Sequence, residues 1–94
     1  MTVAQLIEAA GYEDVVIFEN PSFETAFVGV SHDNRAIYDY DYMVEDLMLN
    51  DGMSMEDAIE FIDFNTLRSL PYVHNSPIIL FGLTALKEEL NADS

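Results

Sequence analysis

The chain has 94 residues, which is room for one hydrophobic core but not for two, so we expect residues 1–94 to form a single domain. Half of the residues are apolar, which argues against disorder, and the absence of cysteine excludes disulfides, thiolate nucleophiles and cysteine-based zinc sites. Eighteen acidic residues against three Lys and Arg give a formal net charge of −15, well beyond the magnitude of roughly 2–8 that suffices for the solubility of a small domain.

The first part of the chain predicts a helix followed by three strands. Thr2 and Gln5 have the spacing of a capping box, and apolar residues then recur at helical spacing until Gly11. Polar residues 31–34 predict a turn that joins the last two strands as a hairpin. The expected strands are Val15–Phe18, Thr25–Val30 and Arg35–Tyr38.

The rest of the chain predicts two helices, an edge strand and a final short helix. Asp39 or Asp41 can cap the first of these helices, and Gly52 follows its end. Ser54 begins the next helix, which Pro71 ends. This order of elements predicts an α+β domain, with a small, mostly antiparallel sheet of three to four strands and helices packed on it. The remaining elements are a strand over Ile78–Phe81 and a helix over Leu83–Leu90.

Half of the acidic residues fall between positions 39 and 63, where there is no Lys or Arg, and we call this stretch the acidic window. Glu56, Glu60 and Asp63 have the i, i+4, i+7 spacing of one helix face, and Asp41 and Glu45 repeat its first step. Each like-charge pair at i, i+4 destabilises a helix by roughly 0.2–0.5 kcal/mol. The window contains Asp39, Asp41, Glu45, Asp46, Asp51, Glu56, Asp57, Glu60 and Asp63.

The acidic window has two interpretations. It can be the solvated face of two ordinary helices, in a protein whose composition serves solubility or belongs to an acidic proteome. It can also imitate nucleic acid, since each strand of B-DNA carries one phosphate per roughly 3.4 Å and rows of carboxylates can occupy a Lys/Arg channel in its place. The total charge, the absence of cations and the striping together favour the second interpretation.

Three tyrosines alternate with aspartates at the start of this window. In an extended segment Tyr38, Tyr40 and Tyr42 would share one face. We expect Tyr38 in the core, which leaves Tyr40 or Tyr42 as interface candidates because tyrosine is enriched at interface hot spots. The predicted partner-binding residues are Asp39, Asp41, Glu45, Asp46, Glu56, Glu60, Asp63, Tyr40 and Tyr42.

Catalytic and metal-binding patterns are weak. His32 and His74 lie in predicted loops, and no nucleophile motif, HExxH sequence or glycine-rich phosphate loop occurs. Asp39-x-Asp41 opens like a calcium-binding loop, but Val44 stands where that loop requires glycine. Carboxylate pairs are too numerous to exclude a glycosidase-like pair by counting, although so short a chain leaves little material for a deep pocket. We therefore predict no enzymatic activity, no catalytic residue, no metal and no cofactor.

The sequence also predicts where the protein works. No apolar run approaches the roughly 20 residues of a membrane-spanning helix. Met1–Ala10 contains no Lys or Arg, unlike a secretory leader. With no cysteine to suggest an oxidising compartment, we expect a cytoplasmic monomer without a membrane partner.

Four stretches of the chain carry a resemblance: Ala36–Met43, Asp51–Ser54, Ala58-Ile59 and Asn65–Tyr72. They resemble a family of small hypothetical proteins of bacteria and their mobile elements. In size, charge and compactness the whole chain is also similar in type to the acidic anti-CRISPR proteins of phages, some of which mimic DNA. Neither likeness assigns an active-site residue. Arg68, in the last stretch, is expected to be structural, at the helix C-terminus or bonded to a carboxylate.

The charge and the resemblance together imply an inhibitor that blocks target-DNA binding by a CRISPR effector of the Cascade type, by DNA mimicry. Its partner would be a basic nucleic-acid-binding protein, and the chain itself should not bind nucleic acid. An alternative function is an immunity protein or antitoxin that neutralises a basic nuclease. A third is a mobile-element interaction module whose partner does not bind nucleic acid.

Overall fold

The computed structural model describes residues 1–83, in which three α-helices accompany a three-stranded sheet. This arrangement confirms the α+β class. A π-helical turn over Ile62–Leu67 extends the third helix, and short 3-10 turns occur at Glu24–Ala26 and Leu70–Tyr72. The helices and strands are α1 (Val3–Ala9), β1 (Phe27–Val30), β2 (Ala36–Asp39), α2 (Tyr40–Asp51), α3 (Met55–Phe61) and β3 (Ile78–Leu80).

The starts of the helices are those that the sequence predicts. The Thr2 hydroxyl accepts a hydrogen bond from the Gln5 backbone N–H at 3.1 Å, and the Gln5 side chain accepts one from the Thr2 N–H at 2.9 Å. Asp39 caps α2 and Ser54 caps α3, each by accepting the backbone N–H of the third helical residue. Gly52, at φ +68°, ends α2 in the left-handed conformation that glycine adopts without strain.

The sheet has the order β1-β2-β3 and is mixed. The predicted hairpin is confirmed, since β1 pairs with β2 antiparallel and Val30 lies opposite Ala36. The second pairing is parallel, with Tyr38 opposite Ile79. A parallel pairing needs a long crossover connection, and α2 and α3 lie in that connection. β3 follows Pro77 and lies at an edge of the sheet, as expected for a strand that begins beside proline.

The prediction of a strand at Val15–Phe18 is wrong. This segment forms no strand, and the sheet consists of β1, β2 and β3 alone among residues 1–83. It is half-buried instead, and Phe18 packs its ring against Tyr38 at a centroid distance of 4.7 Å. β-branched and aromatic residues therefore mark this segment as part of the core rather than as a strand. The predicted helix over Leu83–Leu90 lies, apart from Leu83, outside the described residues.

The helix that begins at Ser54 also differs from its prediction before it reaches Pro71. Regular α-helix stops at Phe61, and the chain continues as the π-helical turn. Such a turn inserts an extra residue and rotates the following side chains about the axis. Within this turn Ile62 and Thr66 are buried, while Asp63 is exposed.

The core lies between the sheet and the face of α2 and α3 that meets it. Tyr38 is at its centre with no exposed surface, as expected. The Arg35 side chain links the hairpin to the segment before β3, because its Nε donates a hydrogen bond to the Ser76 carbonyl oxygen at 2.7 Å. The buried cluster comprises Phe23, Ala26, Ala36, Tyr38, Met43, Val44, Leu47, Ala58 and Ile62.

Candidate partner-binding surface

The carboxylates of the acidic window lie at the end of β2, on α2, on α3 and at the start of the π-helical turn. Glu56, Glu60 and Asp63 are exposed, as their spacing predicts, while Ile62 is buried and Ile59 is half-buried. Most of the predicted acidic residues are therefore available to a partner. The exposed ones are Asp41, Glu45, Glu56, Glu60 and Asp63.

Two of the predicted carboxylates have roles within the fold. Asp39 is half-buried and accepts the Tyr42 backbone N–H at 3.2 Å, so its charge stabilises the start of α2. Asp46 is also half-buried and accepts a hydrogen bond from the Asn50 side chain. We therefore rank Asp39 and Asp46 below the exposed carboxylates as partner contacts.

The two arginines among residues 1–83 do not neutralise the negative charge of the acidic window. The Nη1 atom of Arg35 lies 3.9 Å from the Oδ2 atom of Asp33, and this is the only ion pair within 4 Å among residues 1–83. Arg68 instead lies over the Phe64 ring, with its guanidinium carbon 4.2 Å from the ring centroid. Arg68 is the C-cap of the π-helical turn, as one of the two expectations had it, and it makes a cation–π contact there. It forms no ion pair with a carboxylate among residues 1–83. No carboxylate of the window is paired with a described cation.

The helix dipoles separate the window's charges into favourable and unfavourable ones. Asp41 lies in the first turn of α2, and Glu56 and Asp57 lie in the first turn of α3. Negative charge is favourable there. Asp51 is the last residue of α2, where the dipole favours cations, and that turn contains no basic residue. Asp51 therefore acts against the stability of its own helix.

An apolar groove with an acidic rim opens between α2 and α3. Its volume is about 420 Å³. The side chains of Val44, Met48, Met55 and Ile59 form the apolar part of its lining, and Asp41 and Glu45 stand at its edge. The structure thus brings the predicted acidic pair of α2 together with a surface that can take up an apolar side chain.

Tyr40 lies at one end of this groove. It is half-buried, and its ring packs against Phe81 with centroids 4.7 Å apart. Burial raises the pKa of Tyr40 above its usual value, and the charges of Asp63 and Asp41 raise it further. Asp63, which follows α3, therefore acts electrostatically on the same end of the groove as Asp41 does.

The three tyrosines do not share one face, because α2 begins at Tyr40 and only Tyr38 lies in a strand. Tyr42 is 56% exposed and Tyr40 is half-buried. Both remain candidates for partner contact, and Tyr40 is the one that adjoins the groove.

A second group of carboxylates borders a more open depression on α3. Asp57 and Glu60 lie there beside the aromatic rings of Phe61 and Phe64. Four carboxylates of the window are therefore divided between two surfaces, two at the groove and two at this depression.

The apolar part of the groove was not predicted from the sequence. Val44 and Met48 fit the core-facing stripe of α2, so nothing in their spacing marks them as lining a groove. Met55 carries a weak signal, since it is an apolar residue between a helix cap and two carboxylates. It is 57% exposed in the structure.

Three further features of residues 1–83 concern metal ligands, histidines and helix length. No group of three or more metal-ligating side chains comes together in this part of the chain. His32 and His74 are both exposed. None of the described helices has the length and apolar character needed to cross a bilayer.

Comparison with protein-family models, with characterised proteins and with solved structures finds no match for this chain. The resemblance to acidic proteins of mobile elements and phages therefore stays a prediction.

Proposed function

We propose that the protein is an acidic inhibitor that binds a basic nucleic-acid-binding surface on a partner protein and competes there with nucleic acid. In its most specific form, the partner is a CRISPR effector of the Cascade type, and the protein prevents that effector from binding target DNA. The protein then acts by occupying a surface, without catalysis and without a cofactor.

The observation that carries this proposal is the group of exposed carboxylates on α2 and α3, none of which is paired with a cation among residues 1–83. Asp41 and Glu45 on α2, like Glu56 and Glu60 on α3, are i, i+4 pairs of like charge. Each such pair destabilises its helix. A partner rich in Lys and Arg would relieve this repulsion and would release counterions from its own basic surface on binding.

Solubility alone would also use acidic residues, but it has no need for them at unfavourable positions. Asp51 lies at the end of α2, where negative charge opposes the helix dipole. Its presence there favours a selected acidic surface over a composition that merely keeps the protein in solution.

A DNA-competition assay tests the proposal. A Cascade-type effector carrying its guide RNA is mixed with labelled target duplex and rising amounts of the protein, and bound duplex is measured by mobility shift. We expect loss of bound duplex, and a weaker effect as salt is raised because surface charges are screened. Duplex and protein bound to the effector together would contradict competition.

The same assay separates the alternative function. A panel of basic nucleases takes the place of the effector, with cleavage of a labelled duplex as the readout. Inhibition of a nuclease without any effect on the effector would identify an immunity protein or antitoxin.

A further inference from the structure

The groove between α2 and α3 combines an apolar lining with acidic side chains. Its lining is mainly apolar, from Val44, Met48, Met55 and Ile59, and its rim is acidic, from Asp41 and Glu45. A partner surface made only of cations would leave the apolar lining in water. A purely apolar partner would leave the carboxylates desolvated and unpaired, which is unfavourable.

The charges around the groove restrict what can fit it. Asp41 and Glu45 stand at its rim, and Asp63 acts on its Tyr40 end. No cation lines it. Complementarity therefore requires Lys or Arg at the edges of the occupant and apolar side chains at its centre. An amphipathic basic helix has that distribution, and a helix laid in an apolar groove is a common mode of recognition.

The lining residues suit such an occupant. Met48 and Met55 have flexible, polarisable side chains that adapt to different apolar shapes, a property used at surfaces that bind helices. Met55 is 57% exposed although it is apolar. Covering it would remove apolar area from water and add binding energy that phosphate-like charge alone does not provide.

We propose that this groove docks a basic amphipathic helix of the partner protein, with its apolar face on Met48, Met55 and Ile59 and its Lys or Arg side chains on Asp41 and Glu45. The inference rests on the proposed function and adds the form of the contact. Charge brings the partner to the surface, and the groove holds one of its helices.

Peptide titration of the full-length, isotope-labelled protein tests the groove directly. The probe is a designed amphipathic helical peptide of Leu and Lys, and the control is a peptide of the same length and pattern made of Leu and Glu. We expect saturable binding of the Leu/Lys peptide only, with amide shifts concentrated on groove residues. Binding of both peptides, or shifts spread evenly over the acidic surface, would overturn the inference.

Two matched substitutions, neither of which changes the net charge, test the apolar contact in the groove. Met55→Ser alters the groove, whereas Leu49→Ser alters a residue of α2 that is 75% exposed and does not line it. Both positions are exposed, so both variants should fold. We expect Met55→Ser to weaken Leu/Lys peptide binding about tenfold, from lost apolar burial, and Leu49→Ser to leave it unchanged. Equal effects of the two would overturn the inference.

These outcomes are distinguishable from failure of the proposed function. If the protein displaces DNA from its partner and Met55→Ser does so equally well, the groove is not used and competition by charge stands. If the protein displaces no DNA, the proposed function fails regardless of the peptide. Self-association lost in Met55→Ser, or proton contacts between the groove and residues 84–94 in the free protein, would assign the groove to another occupant and overturn the inference.

Discussion

The Tyr38 hydroxyl accepts a hydrogen bond from the Phe18 backbone N–H, with 3.3 Å between nitrogen and oxygen. A side chain thus supplies the partner that a neighbouring strand would give this N–H in a sheet. The Phe18 ring also packs on the Tyr38 ring. One residue of β2 therefore holds the irregular segment 15–18 in place through both polar and apolar contacts.

Replacing Tyr38 with Phe tests the polar part of this contact. The ring and its packing are kept, while the Phe18 N–H loses its acceptor. We expect the free energy of unfolding to fall by about 1 kcal/mol, the usual contribution of a hydrogen bond of this kind. Urea denaturation measures it. Tyr72→Phe, at a side chain that is 90% exposed, is the control and should change nothing; equal losses would show that the bond does not stabilise the fold.

Tyr38 should also lower the free energy of unfolding at alkaline pH. Burial raises the pKa of Tyr38 above its ordinary value of 10.0. The folded protein therefore keeps this proton to higher pH than the unfolded chain does. The contribution of this proton to the free energy of unfolding is fully present below the ordinary pKa of tyrosine. It is lost as the pH rises through the raised pKa of Tyr38 in the folded protein. Unfolding of the parent and of Tyr38→Phe, measured from pH about 8 to about 11, should show a smaller alkaline loss in the variant; parallel curves would contradict this.

Local signals predict the starts of the helices well, because an N-cap acts over only three residues. Thr2, Asp39 and Ser54 each have a side-chain oxygen that bonds a nearby N–H whatever the rest of the chain does. The strand prediction for Val15–Phe18 is wrong because strand propensity reflects packing on a half-buried surface and does not show whether a segment pairs with a strand. The parallel pairing of β3 likewise depends on how α2 and α3 carry the chain across, and no short stretch of sequence records that.

The exposed carboxylates could be predicted, but the groove could not. Exposure follows from the charge itself, since an unpaired carboxylate is very unfavourable in a core. The groove depends on how far apart α2 and α3 pack, and the same methionines would serve equally well in a closed core. Sequence spacing predicted the charges of the surface and missed its shape.

A substitution at Asp51 tests whether this carboxylate lowers the stability of the protein. Asp51→Asn removes a negative charge from the last residue of α2, and we expect it to raise the free energy of unfolding by about 0.3–1 kcal/mol at low salt. Asp41→Asn is the matched control in the first turn of the same helix. It loses a favourable dipole interaction while relieving repulsion from Glu45, so its net effect should be smaller or of opposite sign. Equal stabilisation by both would mean that net charge alone matters.

The purified protein should not bind nucleic acid. Its net charge of −15 repels phosphate, and the two described arginines are engaged by Ser76 and by the Phe64 ring. Fluorescence anisotropy with labelled single-stranded and duplex oligonucleotides measures this. Sub-micromolar binding at physiological salt would rule out mimicry, because a mimic must compete with nucleic acid and not join it.

Two triple variants that lose the same number of charges test whether partner binding depends on the position of the carboxylates or only on the net charge. The first, Glu56→Gln, Glu60→Gln and Asp63→Asn, removes exposed charges of the window. The second changes three exposed glutamates outside it: Glu8→Gln, Glu13→Gln and Glu19→Gln. None of the six side chains belongs to the buried core, so both variants should keep the fold, which circular dichroism checks.

The most direct test of the account is the concentration of each triple variant that displaces half of a labelled duplex from the basic partner. The account predicts that the window variant needs at least about fivefold more protein than the parent, a loss of roughly 1 kcal/mol that arises mainly from slower association. The variant with changes outside the window should stay close to the parent. Equal displacement by the two variants, or no change in either, would contradict the claim that carboxylates of the acidic window bind the partner.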